Sequence, residues 1–352
     1  MAMKNTPCFT LLIVLIILLA TITAACVTPA SPAPSGAPAL ALTSMKVGYQ
    51  PIISFGPLFI SKEEGFFEQQ GIAVEMVKFS SASESLPALI NGDIAVSGGQ
   101  LNPGLINAIH EGAHVRVVAD KGIILSDSCT SAAILVRRDL FESGAVTTVS
   151  DLRGRKVAAG TDQPYTMFRA LALGNLTTND VEMIDMPRPS ILVAFENGAI
   201  DAGFLMEPYI TEAVRRNKSV VLVKGYDFTP NNSNPLYYGT AIIKTNPELG
   251  KRFMVAYLQG VRQYNQGKTE RNLEILAKYT QLDRDVLNET CWVYVAENGE
   301  VPEEPVREFM DWMYANKKIT HTIDMDQLID RSYVQYANGV LGNMTGNISQ
   351  DK

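Results

Sequence analysis

The stretch Ala88-Leu-Ile-Asn-Gly-Asp-Ile-Ala95 recurs later in the chain as Ala194-Phe-Glu-Asn-Gly-Ala-Ile-Asp-Ala202. In both copies an apolar helix end meets an Asn-Gly pair, which favours a left-handed helix cap, and a β-rich segment follows. Because such a unit cannot bury its apolar face alone, a second copy indicates a second structural block of the same kind. The repetition therefore predicts two α/β lobes built on one helix–turn–strand plan.

The segments around each copy alternate between strand and helix patterns. Strands are predicted at 46–49, 72–79, 93–97 and 115–119 in the first block and at 156–159, 181–185, 200–205 and 220–223 in the second. Helices are predicted at 57–70, 81–90, 102–110, 165–173, 190–196 and 208–216. A strand at 240–244 and helices at 247–264 and 269–279 are expected to follow. This alternation predicts a mainly parallel sheet in each lobe.

The composition separates an oily N-terminus from an ordinary remainder. The chain has 352 residues, a net charge of −7, 46% hydrophobic residues and 19% charged residues. An acidic balance without a Lys/Arg run excludes a nucleic-acid partner, which requires a basic surface for the phosphates. Lys4 is the only charged residue before residue 45, so the charged fraction of the rest is typical of water-soluble domains.

The N-terminus has the layout of an export signal. Lys4 precedes the apolar run 9–22, which ends in small residues before Cys26. We interpret residues 1–25 as a signal peptide, Cys26 as a lipidation site and 26–44 as a Pro/Ala/Ser-rich tether. The protein is then expected outside the cytoplasm, anchored to the membrane by acyl chains on Cys26. An uncleaved signal anchor is the alternative interpretation.

Several segments in a fixed order carry a family resemblance. They are Val47-Gly-Tyr-Gln-Pro51, Pro57-Leu-Phe-Ile-Ser-Lys-Glu-Glu-Gly-Phe-Phe67, Gly71-Ile-Ala-Val-Glu75, Ala88–Ala95, Asp151-Leu-Arg-Gly-Arg-Lys156 and Asp201-Ala-Gly-Phe-Leu-Met-Glu-Pro208. The series, which covers roughly 45–265, resembles solute-binding proteins of ABC importers for nitrate, sulfonate, bicarbonate and thiamine-pyrimidine precursors. The resemblance implies a two-lobed, type II periplasmic-binding-protein-like fold with a ligand cleft between the lobes.

The resemblance also implies a domain order and partners. Lobe 1 is expected at 45–133, lobe 2 at 134–235 and a return to lobe 1 at 236–352, with crossings near 127–133 and 231–239. The protein is expected to bind a small molecule as a monomer and to deliver it to an ABC permease and its ATPase. Neither a cofactor nor a catalytic step is expected.

The predicted ligand site lies beyond the carboxyl ends of the strands, where helix N-termini present free N–H groups. Small polar residues and a few aromatics cluster there, a composition that suits a binding cleft. Ordinary helix caps and turns are the alternative for each residue alone. The candidate residues are Gln50, Ser54, Phe55, Ser81, Ser83, Gly99, Gln100, Asn102, Thr161, Asp162, Tyr165, Met206, Glu207, Tyr237 and Tyr238.

The candidate residues leave the ligand class open. Ser/Thr-rich loops at helix N-termini suit an anion such as nitrate or a sulfonate. Glu207 suits an amine or aminopyrimidine, although it could equally complement the N-terminal charge of the following helix. Tyr237 and Tyr238 could face the cleft or pack the hinge, and we expect one of them to reach the ligand.

The cysteines and histidines leave further alternatives. Cys129 and Cys291 could form a disulfide outside the cytosol or remain two separate buried thiols. His110-Glu-Gly-Ala-His114 matches a zinc-protease motif, but Gly112 falls where the helix should end, so we expect no metal site. Two other functions remain: an enzyme on the same fold, of the pyrimidine-precursor synthase or menaquinone-pathway lyase type, and a ligand sensor. The export signal and the scarcity of cysteines weigh against the enzymes.

Overall fold

The computed structural model describes residues 42–124, 129–160, 163–230 and 232–342, and within them ten strands form two five-stranded sheets. Cys26, Thr161, Asp162 and the predicted leader lie outside these ranges. Both sheets belong to one compact unit. The strands are β1 (Thr43–Tyr49), β2 (Ile72–Lys78), β3 (Val96–Gly98), β4 (Arg116–Ile123), β5 (Ala132–Arg137), β6 (Lys156–Ala159), β7 (Glu182–Asp185), β8 (Ala202–Met206), β9 (Ser219–Lys224) and β10 (Ser233–Tyr238).

The two sheets share one topology. Their strand orders are β2-β1-β3-β10-β4 and β7-β6-β8-β5-β9. In each sheet one strand, β10 or β5, runs antiparallel to both neighbours, and the other four share a direction. These two strands are the first that the chain forms after it passes from one sheet to the other. We call the first sheet with its helices lobe 1 and the second lobe 2.

Helices cover the sheets. In the described part of the chain after β10, the elements are helices and no further strand of the sheets forms. The helices are α1 (Gly56–Glu63), α2 (Phe66–Gln69), α3 (Ala82–Asn91), α4 (Pro103–His110), α5 (Arg138–Glu142), α6 (Pro164–Ala172), α7 (Arg188–Glu196), α8 (Tyr209–Arg215), α9 (Gly225–Phe228), α10 (Pro247–Tyr264), α11 (Glu270–Thr280), α12 (Arg284–Glu289), α13 (Glu303–Ala315), α14 (Met325–Leu328) and α15 (Ser332–Leu341). Within the described ranges, no helix is long and apolar enough to cross a membrane.

The predicted helix ends of the repeated unit are confirmed. Ser81 caps α3 by accepting a hydrogen bond from the Glu84 backbone N–H, and Gly92 ends the helix with a φ of 84°. In the second copy Asn197 caps α7, and Gly198 has a φ of 71°. Positive φ values of this kind are accessible to glycine because it lacks a Cβ atom.

One predicted strand is wrong. Ala241–Thr245 forms a π-helical turn and not a strand at 240–244. The β-branched residues there favour a strand, but the backbone N–H groups of Ile242 and Ile243 both donate to the Gly239 carbonyl instead. This local bonding turns the chain away from the sheet edge at the end of β10.

Both faces of each sheet are buried, as expected for sheets covered by helices on both sides. In lobe 1 one core contains Val47, Val96 and the long helix α10, and the opposite core contains Val117, α4 and α13. Lobe 2 has two corresponding cores on its own sheet. The strand ends, which point away from these cores, are therefore the part of each sheet that can face a ligand.

Helix α10 crosses α1 at Gly260, and this contact provides a stability test. A Cβ added there would lie 2.1 Å from Ser61 Oγ and 2.3 Å from the Pro57 carbonyl oxygen. We expect Gly260→Ala to lower the free energy of unfolding by about 2 kcal/mol, because the helices must separate. Gly339→Ala in α15 is the control, since nothing lies within 4 Å and the change should stabilise by about 0.5–1 kcal/mol. Equal midpoints in urea for both variants would contradict the assignment of a close contact.

Candidate functional site

A cleft with three connected pockets lies where strand ends of the two lobes meet. The outer pocket has a volume of about 550 Å³ and receives residues from both lobes. Its lining consists of Gln50, Pro51, Ile52, Lys78, Phe79, Ser80, Ser81 and Glu84 from lobe 1, and Gly160, Asp185, Met186, Pro187, Arg188, Pro189 and Tyr209 from lobe 2. Most of the exposed lining is therefore proline, aromatic or aliphatic surface with a few charged groups at its edge.

The inner pocket is smaller and more polar. It has a volume of about 20 Å³ and is joined to the outer pocket through Gln50, Ile52 and Arg188, which line both. This volume accommodates roughly one water molecule. The remaining lining is Ala82, Ser83, Gly99, Gln100, Asn102, Lys121, Gln163, Met206 and Asn234. Amides, hydroxyls and cationic groups thus converge on a space that admits only a small group.

A third pocket, the hinge pocket, lies beside the two passages between the lobes. It shares Met206 and Asn234 with the inner pocket. Its volume is also about 20 Å³, and its other lining residues are Ile52, Ile53, Ser54, Ile124, Ser131, Glu207, Cys291 and Val293. Neighbouring pockets therefore share wall residues from the mouth of the cleft to the hinge.

Lys121 is the most informative residue that the sequence analysis missed. It lies fully buried in β4, where Nζ donates a 2.8 Å hydrogen bond to Ser54 Oγ and sits 4.1 Å from the centre of the Phe55 ring. Burial lowers the pKa of this ammonium to about 7. The signal was present in Val117–Ile123, because a strand buried on both faces should carry no adjacent Asp-Lys pair without a reason.

The neighbouring Asp120 is satisfied by other partners. Its carboxylate accepts hydrogen bonds from Ser233 Oγ at 2.7 Å and from the backbone N–H groups of Gly122 and Ala296 at 3.0 Å each. Complete burial raises its pKa to about 6. In the described part of the chain, no carboxylate forms an ion pair with Lys121 within 4.0 Å. Asp120 therefore ties β4 to β10, and Lys121 is left facing the cleft.

Glu207 lies just before α8, where the sequence allowed either a ligand-binding role or a structural role at the start of the helix. Its carboxylate accepts hydrogen bonds from the Thr211 backbone N–H at 3.0 Å and from Thr211 Oγ1 at 2.8 Å. It also accepts one from the Cys291 backbone N–H at 3.2 Å, which connects lobe 2 to the segment beside the hinge. Burial raises its pKa. These bonds favour a structural role, although the residue still lines the hinge pocket.

Most of the described candidate residues line the cleft. Gln100 Nε2 donates to Thr166 Oγ1 at 3.2 Å and so connects the two lobes across the inner pocket. Asn102 both lines this pocket and caps α4 by accepting from the Leu105 N–H at 3.0 Å. Those in the pocket walls are Gln50, Ser54, Ser81, Ser83, Gly99, Gln100, Asn102, Met206 and Glu207.

Four aromatic candidates lie outside these pockets, contrary to expectation. Tyr238 is fully buried and donates to the Gly250 carbonyl, and Tyr237 donates to the Gly99 carbonyl from behind the inner pocket. Successive strand residues face opposite sides of a sheet, so these two rings enter the two cores of lobe 1. Phe55 is likewise buried beneath Lys121.

Tyr165, the fourth, connects the lobes outside the cleft. It begins α6 in lobe 2, and its ring centre lies 4.7 Å from that of Phe309 and 5.2 Å from that of Trp312 on α13. Phe168 approaches Trp312 at 5.4 Å. We call Tyr165, Phe168, Phe309 and Trp312 the interlobe aromatic cluster. Sequence reasoning could not find this contact because its two helices are far apart in the chain.

Cys129 and Cys291 form a disulfide, with Cα atoms 5.5 Å apart. This resolves the alternative that the sequence left open. Cys129 lies on the first passage between the lobes, and Cys291 lines the hinge pocket. The bridge therefore joins the hinge to the C-terminal part of the chain.

The zinc-protease motif does not form a metal site. Helix α4 ends at His110, and Gly112 follows with a φ of 95°, so His114 does not continue the helical face. The His110 ring instead stacks on His321 at 4.2 Å. In 42–342, apart from the undescribed gaps, no group of three or more His, Cys, Asp or Glu residues could hold a metal.

Comparison with known proteins defines the family. Residues 39–277 match the model of the NMT1-like family. The chain belongs to this family. This NMT1-like protein is 24% identical over 311 residues to a putative aliphatic sulfonates-binding protein of Bacillus subtilis, covering 84% of the chain and 88% of the relative. The expected family is confirmed.

Solved structures confirm the two-lobed fold. The periplasmic nitrate-binding protein NrtA from Synechocystis PCC 6803 matches with a TM-score of 0.71 and 15% identity, over 86% of this chain and 89% of that one. The desulfurization enzyme DSZB matches with a TM-score of 0.64 and 12% identity, over 85% and 99%. The same fold thus occurs in binding proteins and in an enzyme, so function must be argued from the site.

Proposed function

We propose that this NMT1-like protein is an extracytoplasmic solute-binding protein that captures a small molecule between its lobes and delivers it to an ABC permease and ATPase. The observation that carries the proposal is the cleft itself, whose inner pocket is lined from both lobes and bridged by the Gln100–Thr166 hydrogen bond. A ligand held by both lobes favours their closed arrangement. The name of the sulfonate-binding relative supports the same function.

The site favours binding over catalysis. The described residues that line the outer and inner pockets include no histidine and no free cysteine. Glu207, the buried carboxylate of the hinge pocket, already accepts three hydrogen bonds. A nucleophile with a neighbouring base is the minimum for covalent catalysis, and the hydroxyl and amine that fit this description at the cleft, Ser54 Oγ and Lys121 Nζ at 2.8 Å, are both buried. We therefore propose that the protein has no enzymatic activity.

The location and assembly state are further parts of the proposal. The apolar run 9–22 and Cys26 support export and lipid anchoring, and the uncharged segment up to residue 44 supports a tether between membrane and lobes. The lobes would then work in water as a monomer beside the permease. A sensor that passes the bound state to a receptor is distinguished by its gene neighbours, which would lack a permease and an ATPase.

Thermal unfolding with a solute panel tests the proposed function. The panel contains alkanesulfonates, fatty acids, nitrate, bicarbonate and aminopyrimidines. At a concentration 100 times its Kd, a true ligand should stabilise by about 2.7 kcal/mol and raise Tm by roughly 5–10 °C. Mass spectrometry should recover that solute unchanged after prolonged incubation. Conversion of the solute would show an enzyme, and the absence of any shift across the panel would refute solute capture.

A further inference from the structure

We propose that Lys121 recognises the anionic group of the ligand, and that the ligand is an organic monoanion whose charged end enters the inner pocket while its apolar body lies in the outer pocket. This inference rests on the proposed function and narrows it to one substrate class. It assigns a binding role to a residue within β4. Neither the family resemblance nor the rule that ligands bind beyond the carboxyl ends of strands identifies this residue.

The first argument is the energetic position of Lys121. The residue is fully buried, and in the described chain Ser54 Oγ is its hydrogen-bond acceptor. An ammonium group has three donors, so the bond to Ser54 leaves others for a ligand. Burial of this cation is costly, the charge of the neighbouring Asp120 offsets only part of that cost, and a bound anion would offset more of it. Lys121 therefore provides the cation of an ion pair that a bound anion would complete.

The second argument is that the fold makes room for this lysine. A Cβ atom at Gly98 would lie 2.9 Å from Lys121 Cε and 3.2 Å from its Cδ. The lysine side chain therefore packs against the backbone of β3 at a residue that has no side chain. The Phe55 ring packs against the ammonium from another side. Asp120 is occupied by Ser233, Gly122 and Ala296. Lys121 is therefore held in a fixed position beside the inner pocket.

The third argument is the composition of the inner pocket. Lys121 brings a cationic group to it, and Gln100, Asn102 and Asn234 bring amide groups. Its described lining contains no carboxylate. A volume of about 20 Å³ holds roughly one water molecule, so it admits about one oxygen atom of a charged head group. The pocket therefore selects negative charge and small size at one end of the ligand.

The fourth argument concerns the rest of the ligand. The outer pocket shares Gln50, Ile52 and Arg188 with the inner pocket and has a volume of about 550 Å³, within the range of sites for organic molecules. Phe79, Met186, Tyr209 and several prolines give it an apolar surface. Its charged residues balance, with Lys78 and Arg188 opposing Glu84 and Asp185. Nitrate or bicarbonate would leave this space to water, whereas an alkyl or aryl body would fill it.

The ligand-side experiment is a calorimetric titration of the protein with compounds of defined length and charge. We expect 1-hexanesulfonate to bind about 1000-fold more tightly than methanesulfonate and hexanoate about 250-fold more tightly than acetate, because the five and four additional buried methylenes each add about fourfold. Nitrate should bind as weakly as these short anions. The sulfonate and carboxylate arms distinguish the two possible head groups. Neutral 1-hexanol should bind about 100-fold more weakly than the better of the two anions.

The protein-side experiment replaces the cation. Lys121→Met should weaken binding of the better hexyl anion about 100-fold and raise the Tm of the free protein, because a buried charge that Asp120 compensates only in part is removed. Lys46→Met, at an exposed position of β1 in the same sheet, is the control and should change affinity less than twofold. A lysine with only a structural role would give the reverse pattern, a lower Tm with unchanged affinity.

A pH profile gives an independent readout. Since burial lowers the pKa of Lys121 to about 7, affinity should be constant below pH 7 and fall about tenfold per unit above it. The other charged groups near this position are Asp120 on the same strand, Arg188 across the cleft and Glu207 in the hinge pocket. The slope above pH 7 should disappear in Lys121→Met.

Three outcomes would overturn the inference. They are equal affinity for nitrate and the hexyl anions, unchanged affinity in Lys121→Met, and binding of aminopyrimidines or other neutral or cationic solutes only. Each leaves solute capture standing, because a ligand still binds. Absence of binding by every compound, including the inorganic anions and pyrimidines, would refute the inference together with the proposed function.

Discussion

Replacement of both bridged cysteines, by Cys129→Ser and Cys291→Ser, is expected to lower the free energy of unfolding by about 5 kcal/mol. The disulfide closes a loop with a sequence separation of 162 residues, and the chain-entropy relation assigns about this value to a loop of such length. The bridge restricts the unfolded chain across all of lobe 2 and both passages between the lobes. Its loss therefore enlarges the unfolded ensemble far more than a local contact would.

The measurement is urea unfolding of the wild type and the double variant under oxidising conditions. Reduction of the wild type with dithiothreitol should reproduce the same loss, and the reductant should leave the double variant unchanged. This second comparison separates the bridge from any effect of the serine side chains. A difference below about 1 kcal/mol in both comparisons would mean that the bridge does not restrain the chain in this way.

Trp312→Ala is expected to lower the free energy of unfolding by about 3 kcal/mol and to separate the lobes. Trp312 packs against Tyr165 and Phe168 of lobe 2, and against Phe309 on its own helix. Truncation of a packed tryptophan removes a large apolar area and leaves a cavity. The Tyr165–Phe309 ring contact and the ion pair between Arg169 and Glu308, at 3.2 Å, would then remain between these two helices.

Two measurements report on this variant. Urea unfolding gives its stability, and small-angle X-ray scattering of the ligand-free protein gives the separation of the lobes. Tyr314→Ala is the matched control, because this side chain lies on the same helix and is 54% exposed; it should change stability by less than about 0.5 kcal/mol. Scattering curves identical to the wild type would show that the interlobe aromatic cluster does not hold the lobes together.

The sequence predicted those parts of the fold that depend on local signals. The Asn-Gly caps and the Ser81 capping position are local hydrogen-bond motifs, and the apolar periods between them set the helices and strands. The antiparallel strands β5 and β10 are not predicted, because their assignment depends on pairing with strands from other parts of the chain. β10 falls within the predicted crossing at 231–239, and only the first two residues of β5 fall within that at 127–133. The segment at 240–244 failed for the same reason, since propensity favoured a strand where no partner was present.

The sequence predicted part of the cleft lining but not the buried lysine beside it. Strand ends with small polar residues are found by a general rule of parallel sheets, so Gln50, Ser83 and Asn102 reached the cleft. Tyr237 and Tyr238 did not, because their alternation on β10 sends the rings into two opposite cores. That rule concerns residues at the ends of strands, whereas Lys121 lies within a strand. Only its burial and the absence of a carboxylate partner in the described structure reveal it.

The central claim, that a solute is held between the two lobes, is tested most directly by hydrogen exchange of backbone amides. The protein is compared with and without the solute of the panel that stabilises it most. We expect slower exchange in peptides from both sides of the cleft, covering 50–55, 79–84 and 98–102 in lobe 1 and 185–189 and 206–209 in lobe 2. Protection confined to one lobe, or located away from the cleft around His110 and His321, would contradict the account.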